Sequence, residues 1–336
     1  SEAEQLAKGL GMRIGLYRDL AVGVSEGSCE IWANKELYCP KASIGAPPDP
    51  LGPQGQNWGL PPIDPVRLRQ AGYQPFIELL RANMRGCGAL RIDHVMGLYR
   101  LWWVPPGAPS SMGAYVYYPV EDLLAILALE SHRQRCLVIG EDLGTVPAEM
   151  RTLLHDNGIY SYKVFFFERA QDGGYFSPVH YPAQAMSALT THDMPTLRGF
   201  WHCDDLSLGR DLGLYPDEEK LQDLYRERHS AKQAILDSLR WHGLLPGHIG
   251  NDVSWVGMNT ALSHALQEHM CRGNTALFST QLEDWLEMDK PVNVPGTCTE
   301  YPNWRRKLSR DLECFLNDPV LTELAHRLTN ARKQAQ

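Results

Sequence analysis

The sequence predicts an α/β fold in which helices alternate with the strands of a parallel sheet. Short apolar runs alternate along the chain with longer amphipathic stretches, as is typical of βαβ units. The runs lie at about residues 12–17, 89–95, 136–140, 160–167, 186–191 and 276–280. Six strands suit a doubly wound sheet, whereas a closed (β/α)8 barrel needs eight, and hydrophobic periodicity does not separate the two.

The predicted helices have recognisable start and stop residues. Residues 1–8 are expected to form the end of a helix that stops at Gly9, and Asp64 and Pro65 provide an N-cap and a first turn for the next one. Further helices are expected at about residues 120–133, 147–158, 215–243 and 258–271, and at the C-terminus. Residues 45–65 are rich in Pro and Gly and predict a long irregular loop, which in a compact domain is more often functional than idle.

The charge balance argues against two classes of partner. The 336 residues include 32 Lys and Arg against 40 Asp and Glu, a formal net charge of −8. Nucleic-acid affinity comes mostly from counterion release by clustered Lys and Arg, so no nucleic-acid partner is expected. No cationic amphipathic segment is found, and the longest apolar runs are far too short to span a bilayer, so no membrane partner is expected either.

The eight cysteines are scattered, without a CxxC pair, and the chain contains no HExxH pattern. No zinc or other metal site is therefore expected. A chain of this length does not need a disulfide framework, so reduced cysteines and a cytoplasmic location are predicted. Because the chain begins at Ser1 without a recognisable signal peptide, a processed product or a fragment is expected.

Three acidic residues follow predicted strands. Asp93, Glu141 and Asp193 each stand at the end of an apolar run, and neighbours in this series are about 50 residues apart. A carboxylate at a strand end often only caps the next helix. Three of them from different strands, at the edge where parallel α/β sheets place catalysis, indicate an active site.

Glycosyl transfer requires this set of residue types. One carboxylate attacks the anomeric carbon, one carboxylic acid protonates the leaving oxygen, and a further anion can stabilise the oxocarbenium-like transition state. Arg91 should lie on the same face as Asp93, two residues later, and keep that carboxylate ionised. His94 and His192 can hydrogen-bond sugar hydroxyls, and the ring of Trp58 can stack on a sugar face.

Short motifs then support a family resemblance. Arg-Ile-Asp-His at residues 91–94, Gly-Glu-Asp-Leu-Gly at 140–144 and His-Asp at 192–193 resemble the fourth-, fifth- and seventh-strand motifs of the α-amylase superfamily. Longer runs are similar to the amylomaltases, the 4-α-glucanotransferases of glycoside hydrolase family 77; they lie at residues 55–62, 141–147, 191–196 and 303–305. The likeness extends from about residue 10 to about residue 320.

The resemblance implies a role for each matched residue. Asp93 would be the nucleophile, Glu141 the general acid and then general base, and Asp193 the stabiliser of the transition state. The positions matched to substrate binding are Arg91, His192, Gln56, Trp58 and Asn303. The implied substrates are α-1,4-glucans such as maltooligosaccharides, with a glucan or glucose as acceptor, and no cofactor is expected because a double displacement needs only carboxylates.

The resemblance also implies the fold. It predicts one (β/α)8 TIM-barrel domain over residues 1–336 with a helical insertion at residues 204–272. Family members are longer, and their first two strands lie upstream, so this chain is expected to hold strands three to eight of an incomplete barrel. Two exposed sheet edges would then have to be covered, paired with a second copy, or left prone to self-association.

The third-strand motif departs from the family pattern. Asp19 retains the first acid, but Arg18 and Ala21 replace the usual Gly and Pro, and Gly27 occupies the position of a later Asp. A sugar contact from that later Asp is therefore absent. The run at residues 23–27 matches the G-x-S-x-G pattern of α/β-hydrolases, but no suitable His and acid follow it in order, so a turn is predicted there.

Two alternatives to the transferase stay open. The same three acids would serve an α-1,4-glucan hydrolase, in which water completes the second step, and the motifs do not separate the two activities. The chain could also be a folded but inactive fragment of the transferase. Both alternatives keep the same fold and the same candidate residues.

Overall fold

The computed structural model describes residues 2–48, 54–144, 146–215, 217–297, 299–315 and 317–335. Thr145, within the predicted motif at residues 141–147, and Cys298 lie outside the described residues. The chain divides into two compact units, Ser1–Tyr162 and Lys163–Gln336. The boundary falls within a strand, and each unit has its own hydrophobic core.

The described chain mixes strands and helices, as predicted, with the parallel strands separated by helical segments. The strands are β1 (Tyr17–Leu20), β2 (Ser43–Ala46), β3 (Gln56–Leu60), β4 (Ala89–Ile92), β5 (Arg100–Val104), β6 (Ala114–Tyr117), β7 (Leu137–Gly140), β8 (Ser161–Val164), β9 (Ala185–Ala188) and β10 (Leu277–Ser279). The helices are α1 (Glu2–Gly9), α2 (Cys29–Ala33), α3 (Pro65–Gln70), α4 (Gln74–Met84), α5 (Val120–Gln134), α6 (Ala148–Asp156), α7 (Leu197–His202), α8 (Asp204–Asp211), α9 (Glu218–Trp241), α10 (Thr260–Cys271), α11 (Leu282–Trp285), α12 (Leu312–Phe315) and α13 (Pro319–Ala335).

A parallel sheet of order β1-β4-β7 forms the centre of the first unit. All four residues of β4 are buried, as expected for a strand covered on both faces of a parallel sheet. The register places Arg91 beside Asp19 on one side and beside Ile139 on the other. Asp93 and Glu141 therefore follow neighbouring strands at the same edge of this sheet.

The first strand begins later than predicted, at Tyr17 instead of near residue 12. Gly15 has a left-handed backbone (φ +74°), and the carboxylate of Glu4 accepts a hydrogen bond from the N–H of Leu16 at 2.5 Å. These features hold the preceding residues out of the sheet. The ladder with β4 consequently starts only at the pairing of Tyr17 with Ala89.

The prediction of one long irregular loop at residues 45–65 is wrong for Gln56–Leu60, which forms a strand, and residues 49–53 lie outside the described residues. β2 and β3 pair there in an antiparallel sheet of order β3-β2-β5-β6. Gly45 permits the close approach of the two strands, because a side chain at this position would collide with the carbonyl oxygen of Gln56. Trp58 and Leu60 pack against the core of the unit, which fixes this sheet on apolar side chains.

The helix predicted after Asp64 starts where expected, but it is divided into two helices, α3 and α4. The Asp64 carboxylate accepts hydrogen bonds from the N–H groups of Val66 and Arg67, at 2.8 and 3.1 Å. Gly72 and Tyr73 then adopt left-handed backbone conformations, each with φ of +60°. This break separates α3 from α4, where the sequence predicted a single helix.

In the sheet of order β10-β9-β8, the strands β9 and β10 belong to the second unit and are parallel. β9 is buried at every residue, and the hydroxyl groups of Ser187 and Thr275 lie 2.8 Å apart beside it. Helices α8, α9 and α10 fall within residues 204–272, the segment predicted to be helical. α10 is buried along most of its length, so part of this segment belongs to the core of the unit.

No helix among the described residues is both long enough and apolar enough to cross a membrane. The seven cysteines of the described ranges are unbridged, and the Sγ atoms of Cys87 and Cys136 lie 3.7 Å apart in the core of the first unit.

Candidate active site

Arg91 organises two carboxylates in the first unit. Its Nη1 donates to both oxygens of Asp19 at 2.6 and 2.7 Å, and its Nη2 donates to Oδ1 of Asp93 at 2.9 Å. The guanidinium is buried. Burial by itself lowers the pKa of Arg91, but the charges of Asp93, Asp19 and Glu141 raise it above its usual range. The arginine thus stays charged and fixes the position of the predicted nucleophile.

Strand geometry explains this arrangement. Side chains two residues apart on a strand point to the same face, which brings Arg91 beside Asp93. The parallel register then adds Asp19 from β1, directly opposite Arg91. The sequence retained Asp19 as a motif residue, but its ion pair with Arg91 depends on strand pairing and was not predicted.

The carboxyl group of Glu141 has a raised pKa and accepts two backbone hydrogen bonds. Its Oε2 accepts a hydrogen bond from the N–H of His94 at 2.9 Å, and its Oε1 accepts one from the N–H of Leu143 at 2.7 Å. Burial raises the pKa of Glu141 to about 7, the charge of Asp93 adds to this rise, and Arg91 and the two N–H groups oppose it. A carboxyl group with a pKa near neutrality can act both as an acid and as a base.

The residue that follows Glu141 anchors the end of β7. Asp142 is buried, and its carboxylate accepts hydrogen bonds from the N–H of Tyr162 at 2.8 Å and from the hydroxyl of Ser161 at 2.6 Å. The backbone of Glu141 is also tied to the neighbouring strand, because its N–H donates to the carbonyl of Ile92. The carboxyl group of Glu141 is therefore presented from a fixed backbone.

His94 connects the acids to the predicted glucan-binding residues. Its backbone is left-handed (φ 45°, ψ 60°), and its N–H donates to the carboxyl group of Glu141. Its ring meets the edge of the Trp58 ring, with centroids 5.3 Å apart, and Trp58 Nε1 donates to Oε1 of Gln56 at 3.0 Å. Burial lowers the pKa of His94 to about 4, so the imidazole is neutral at pH 7. The structure therefore brings the predicted residues Gln56 and Trp58 to the acid-bearing segment.

Asp193 is held by three contacts in the second unit. Nδ2 of Asn293 donates to its Oδ1 at 2.7 Å, and Nε2 of His192 lies 3.1 Å from its Oδ2. Its own N–H donates to the hydroxyl of Thr191 at 3.3 Å. The carboxylate remains about one third exposed (38%), so it is both fixed and accessible.

Asn293 and Trp304 were not singled out by the sequence. The N–H of Asn293 donates to the carbonyl of His192 at 3.1 Å, in addition to the contact of its side chain with Asp193. The Trp304 ring lies 5.0 Å from the His192 ring, between centroids, and is well exposed. Trp304 lies within the predicted motif at residues 303–305, and that motif was the signal that could have identified it.

Asn303 fixes the segment that carries these two residues. Its Oδ1 accepts from the N–H of Val294 at 2.9 Å, and its Nδ2 donates to the hydroxyl and the carbonyl of Thr297 at 2.9 and 3.1 Å. The amide group is thus engaged with backbone and side chain of its own segment. Substrate binding by Asn303 remains a prediction.

The chain is similar in sequence to known 4-alpha-glucanotransferases. Residues 1–313 match the model of glycoside hydrolase family 77, described as 4-alpha-glucanotransferase. The chain belongs to this family. It is 46% identical over 333 residues to a 4-alpha-glucanotransferase of Haemophilus influenzae, covering 99% of this chain and 47% of that protein. It is 36% identical to a 4-alpha-glucanotransferase of Mycobacterium tuberculosis H37Rv, covering 96% of this chain and 44% of that protein.

Solved structures of family 77 enzymes share the fold. The amylomaltase of Corynebacterium glutamicum superposes with a TM-score of 0.88 at 31% identity, over 98% of this chain and 48% of that one. The amylomaltase of Streptococcus agalactiae in complex with acarbose gives a TM-score of 0.75 at 20% identity, over 98% of this chain and 59% of that one. The α/β fold of the TIM-barrel type is thereby confirmed. The chain spans about half the length of the curated relatives that it matches.

The remaining sequence predictions concern Ser25, Gly27 and the absence of a metal site. Ser25 is exposed in a turn closed by a hydrogen bond from the N–H of Ser28 to its carbonyl at 2.9 Å, which confirms the predicted turn. Gly27 is exposed in the same turn, with open space where a side chain would be. Across the described ranges, no group of three or more His, Cys, Asp or Glu is arranged to hold a metal ion.

Proposed function

We propose that this chain carries the catalytic carboxylates of a retaining 4-α-glucanotransferase. The observation that carries the proposal is the contrast between two acids of the first unit. Asp93 is held by the charged Arg91, whereas burial raises the pKa of Glu141 to about 7. A double displacement needs one carboxylate that attacks and one carboxyl group that exchanges a proton, and this contrast supplies both.

In the first step, an oxygen of Asp93 attacks the anomeric carbon of a bound α-1,4-glucan. Glu141 donates its proton to the glycosidic oxygen, the bond from that oxygen to the anomeric carbon breaks, and the reducing-end portion leaves with a new 4-hydroxyl. A glycosyl ester on Asp93 results, with inverted configuration. The high pKa of Glu141 keeps the proton available near neutral pH.

In the second step, the ionised Glu141 accepts the proton of the 4-hydroxyl of an acceptor glucan or glucose. The acceptor oxygen attacks the anomeric carbon, and the ester bond to Asp93 breaks. The second inversion restores the α configuration, and both acids return to their starting states. Only carboxylates are needed for this sequence of bonds, so we propose no cofactor.

Further roles follow from the family match and remain proposals. Asp193 stabilises the oxocarbenium-like transition state, and Arg91 and His192 hold the nucleophile and the reacting sugar. Gln56 and Trp58 line the glucan groove, and Asn303 contributes to substrate binding. The fixed, accessible carboxylate of Asp193 and the contact of Trp58 with His94 support these assignments.

We further propose that β1, β4, β7, β8, β9 and β10 correspond to strands three to eight of the family barrel. Their sheet orders, β1-β4-β7 and β10-β9-β8, follow the order of the chain, as neighbouring barrel strands do. A helical insertion at residues 204–272, self-association through sheet edges and a cytoplasmic location stay predictions.

Incubation with maltotriose, followed by separation of the products by size, tests the function. Oligomers longer than the substrate, absent with Asp93→Asn and Glu141→Gln, are the expected result. Glucose and maltose alone would identify a hydrolase instead. If the isolated chain does not turn over maltotriose, it is co-expressed with the part of the Haemophilus influenzae relative that it does not span, and the assay is repeated. A continued lack of turnover would contradict the proposal.

A further inference from the structure

We propose that the buried acid Asp284 positions the segment that carries His192 and Asp193. Asp284 has no role in the proposed chemical steps. It acts through that segment and is a positioning residue for the reaction. The inference rests on the proposed function, because it concerns the placement of the acid proposed to stabilise the transition state.

Asp284 binds both ends of this segment through one carboxylate. Its Oδ1 accepts a hydrogen bond from the N–H of Leu197, the first residue of α7, at 2.7 Å. Its Oδ2 accepts a hydrogen bond from the hydroxyl of Thr190, which follows β9. Asp284 and Thr190 are both nearly inaccessible, with exposed fractions of 5% and 3%.

The six residues between these contacts, 191–196, are thereby closed into a loop. His192 and Asp193 lie within it, and the N–H of Asp193 binds the hydroxyl of Thr191, next to the clamped Thr190. The carboxylate of Asp284 thus closes the base of the loop, whereas Asn293 contacts its functional residues. Asp284 cannot touch a substrate itself, because it is buried.

The buried environment of Asp284 disfavours the ionised form of its carboxyl group. No Lys, Arg or His side chain forms an ion pair with it within the part of the chain that the structure describes. Burial raises the pKa of Asp284 to about 6, the charge of Glu283 adds to this rise, and the two hydrogen bonds oppose it. A buried acid that lacks a cationic partner is an unfavourable choice for packing alone, and its two acceptor bonds to the loop explain its presence.

A simple helix cap is a weaker explanation. α7 already has an N-cap, since the hydroxyl of Thr196 accepts a hydrogen bond from the N–H of Gly199 at 3.0 Å. A second cap would account for the bond from Leu197 but not for the bond from Thr190, which lies before the loop. Both bonds together are explained by closure of residues 191–196.

Three variants and one control test the inference, with kcat and KM for maltotriose disproportionation measured separately. Asp284→Ala removes both bonds, Thr190→Val removes one, and Asp284→Asn keeps an acceptor for Leu197 and offers its amide to the hydroxyl of Thr190. Glu283→Gln removes an adjacent charge of α11 as the control. The assay is made on the form of the chain that is active in the maltotriose test.

Amide hydrogen exchange over residues 190–197 provides a second readout that does not depend on activity. For Asp284→Ala we expect exchange in this segment to rise about tenfold or more. We expect kcat to fall by a factor of about 10 to 100 while KM changes by less than about threefold. Asp284→Asn should restore both kcat and the exchange rate of residues 190–197 to near their wild-type values. Thr190→Val should give values of both between those of Asp284→Ala and the wild type, and Glu283→Gln should resemble the wild type.

The outcomes separate this inference from the proposed function. If the wild type fails the maltotriose test in every form, the function is at fault, and the exchange data still decide whether Asp284 holds the loop. Unchanged exchange in Asp284→Ala, or increased exchange with unchanged kcat, overturns the inference. An Asp284→Asn variant as impaired as Asp284→Ala also overturns it, because the hydrogen bonds would then not suffice. If Asp284→Ala does not fold, Thr190→Val and Asp284→Asn decide by the same criteria.

Discussion

The carboxyl group of Glu141 shows, at the scale of one residue, how burial that suits the proposed acid role also lowers stability. Burial that raises the pKa of Glu141 to about 7 prepares it as an acid, but it also disfavours the charged form in the folded state. The native-state pKa lies above the ordinary value of 4.5. The stability that this group contributes is therefore complete below pH 4.5 and is lost as the pH rises through 7.

The Glu141→Gln variant should reveal this cost as a dependence on pH. Gln does not ionise, so the stability of the variant relative to the wild type should increase between pH 4.5 and pH 8, by roughly 2 kcal/mol after allowance for partial exposure. Urea unfolding at a series of pH values measures the difference. A difference that does not vary with pH would show that Glu141 ionises as easily in the folded chain as in the unfolded one.

The same residue predicts the pH dependence of activity. Because the proposed first step requires a protonated Glu141, kcat/KM should decline above a pH of about 7 as the free enzyme loses this proton. A pH–rate profile with maltotriose measures the alkaline limb. A profile that stays flat to pH 9 would contradict the assignment of Glu141 as the general acid.

Asp19 permits a test of the support given to Arg91. The Asp19→Ala change removes both charge-assisted hydrogen bonds from Nη1, so that Arg91 keeps its ion pair with Asp93 and its contact with the Tyr162 ring. We expect kcat/KM to fall about tenfold, because a less constrained Arg91 positions the nucleophile less well. Arg18→Gln is the matched control, since Arg18 is the adjacent residue of β1 and contacts the carbonyl of Asn83 instead. Equal effects of the two changes would refute a specific role of Asp19.

At the scale of single elements, the strands of the parallel sheets were predictable and the antiparallel sheet was not. β4, β7 and β9 are buried at nearly every residue and are mostly apolar, with Arg91 and Ser187 as the polar exceptions, which leaves a clear signal in the sequence. β3 contains Gln, Asn and Gly and forms a strand through its pairing with β2, so the decisive contacts lie outside its own sequence. Local composition therefore indicated a loop.

The cap of α3 provides a quantitative test at this scale. Asp64→Ala removes the acceptor of two N–H groups and should lower the free energy of unfolding by about 1 kcal/mol. Asp64→Asn is the control, because Asn is an equally good N-cap and should retain most of the stability. Chemical denaturation measures the free energy of unfolding of both variants. If Asp64→Asn lost as much stability as Asp64→Ala, the capping role would be contradicted.

At the scale of the whole molecule, the candidate residues are distributed over two compact units. Asp93, Glu141 and their partners belong to the first unit, and Asp193, His192 and Asn293 belong to the second. The three acids were predictable because each stands in a short local motif. Asn293 and Asp284 were not, since each meets its partner across about 90 to 100 residues of chain.

Because the two units have separate cores, a core mutation should destabilise mainly the unit that carries it. Leu90 belongs to the cluster of the first unit and Leu266 to that of the second, and both are fully buried. Leu90→Ala and Leu266→Ala should each cost about 2–5 kcal/mol. Amide hydrogen exchange should show the larger loss of protection in the unit that carries the change. Equal loss in both units for either variant would mean that they unfold as one cooperative body.

The left-handed backbone of His94 limits how this position can vary. Its φ is positive while its N–H donates to the carboxyl group of Glu141, and most side chains disfavour this backbone conformation. In a library of all substitutions selected for activity, Asn and Gly should therefore survive more often than Val, Ile or Thr. Tolerance to mutation immediately after the nucleophile is thus governed first by the backbone and only then by the chemistry of the side chain.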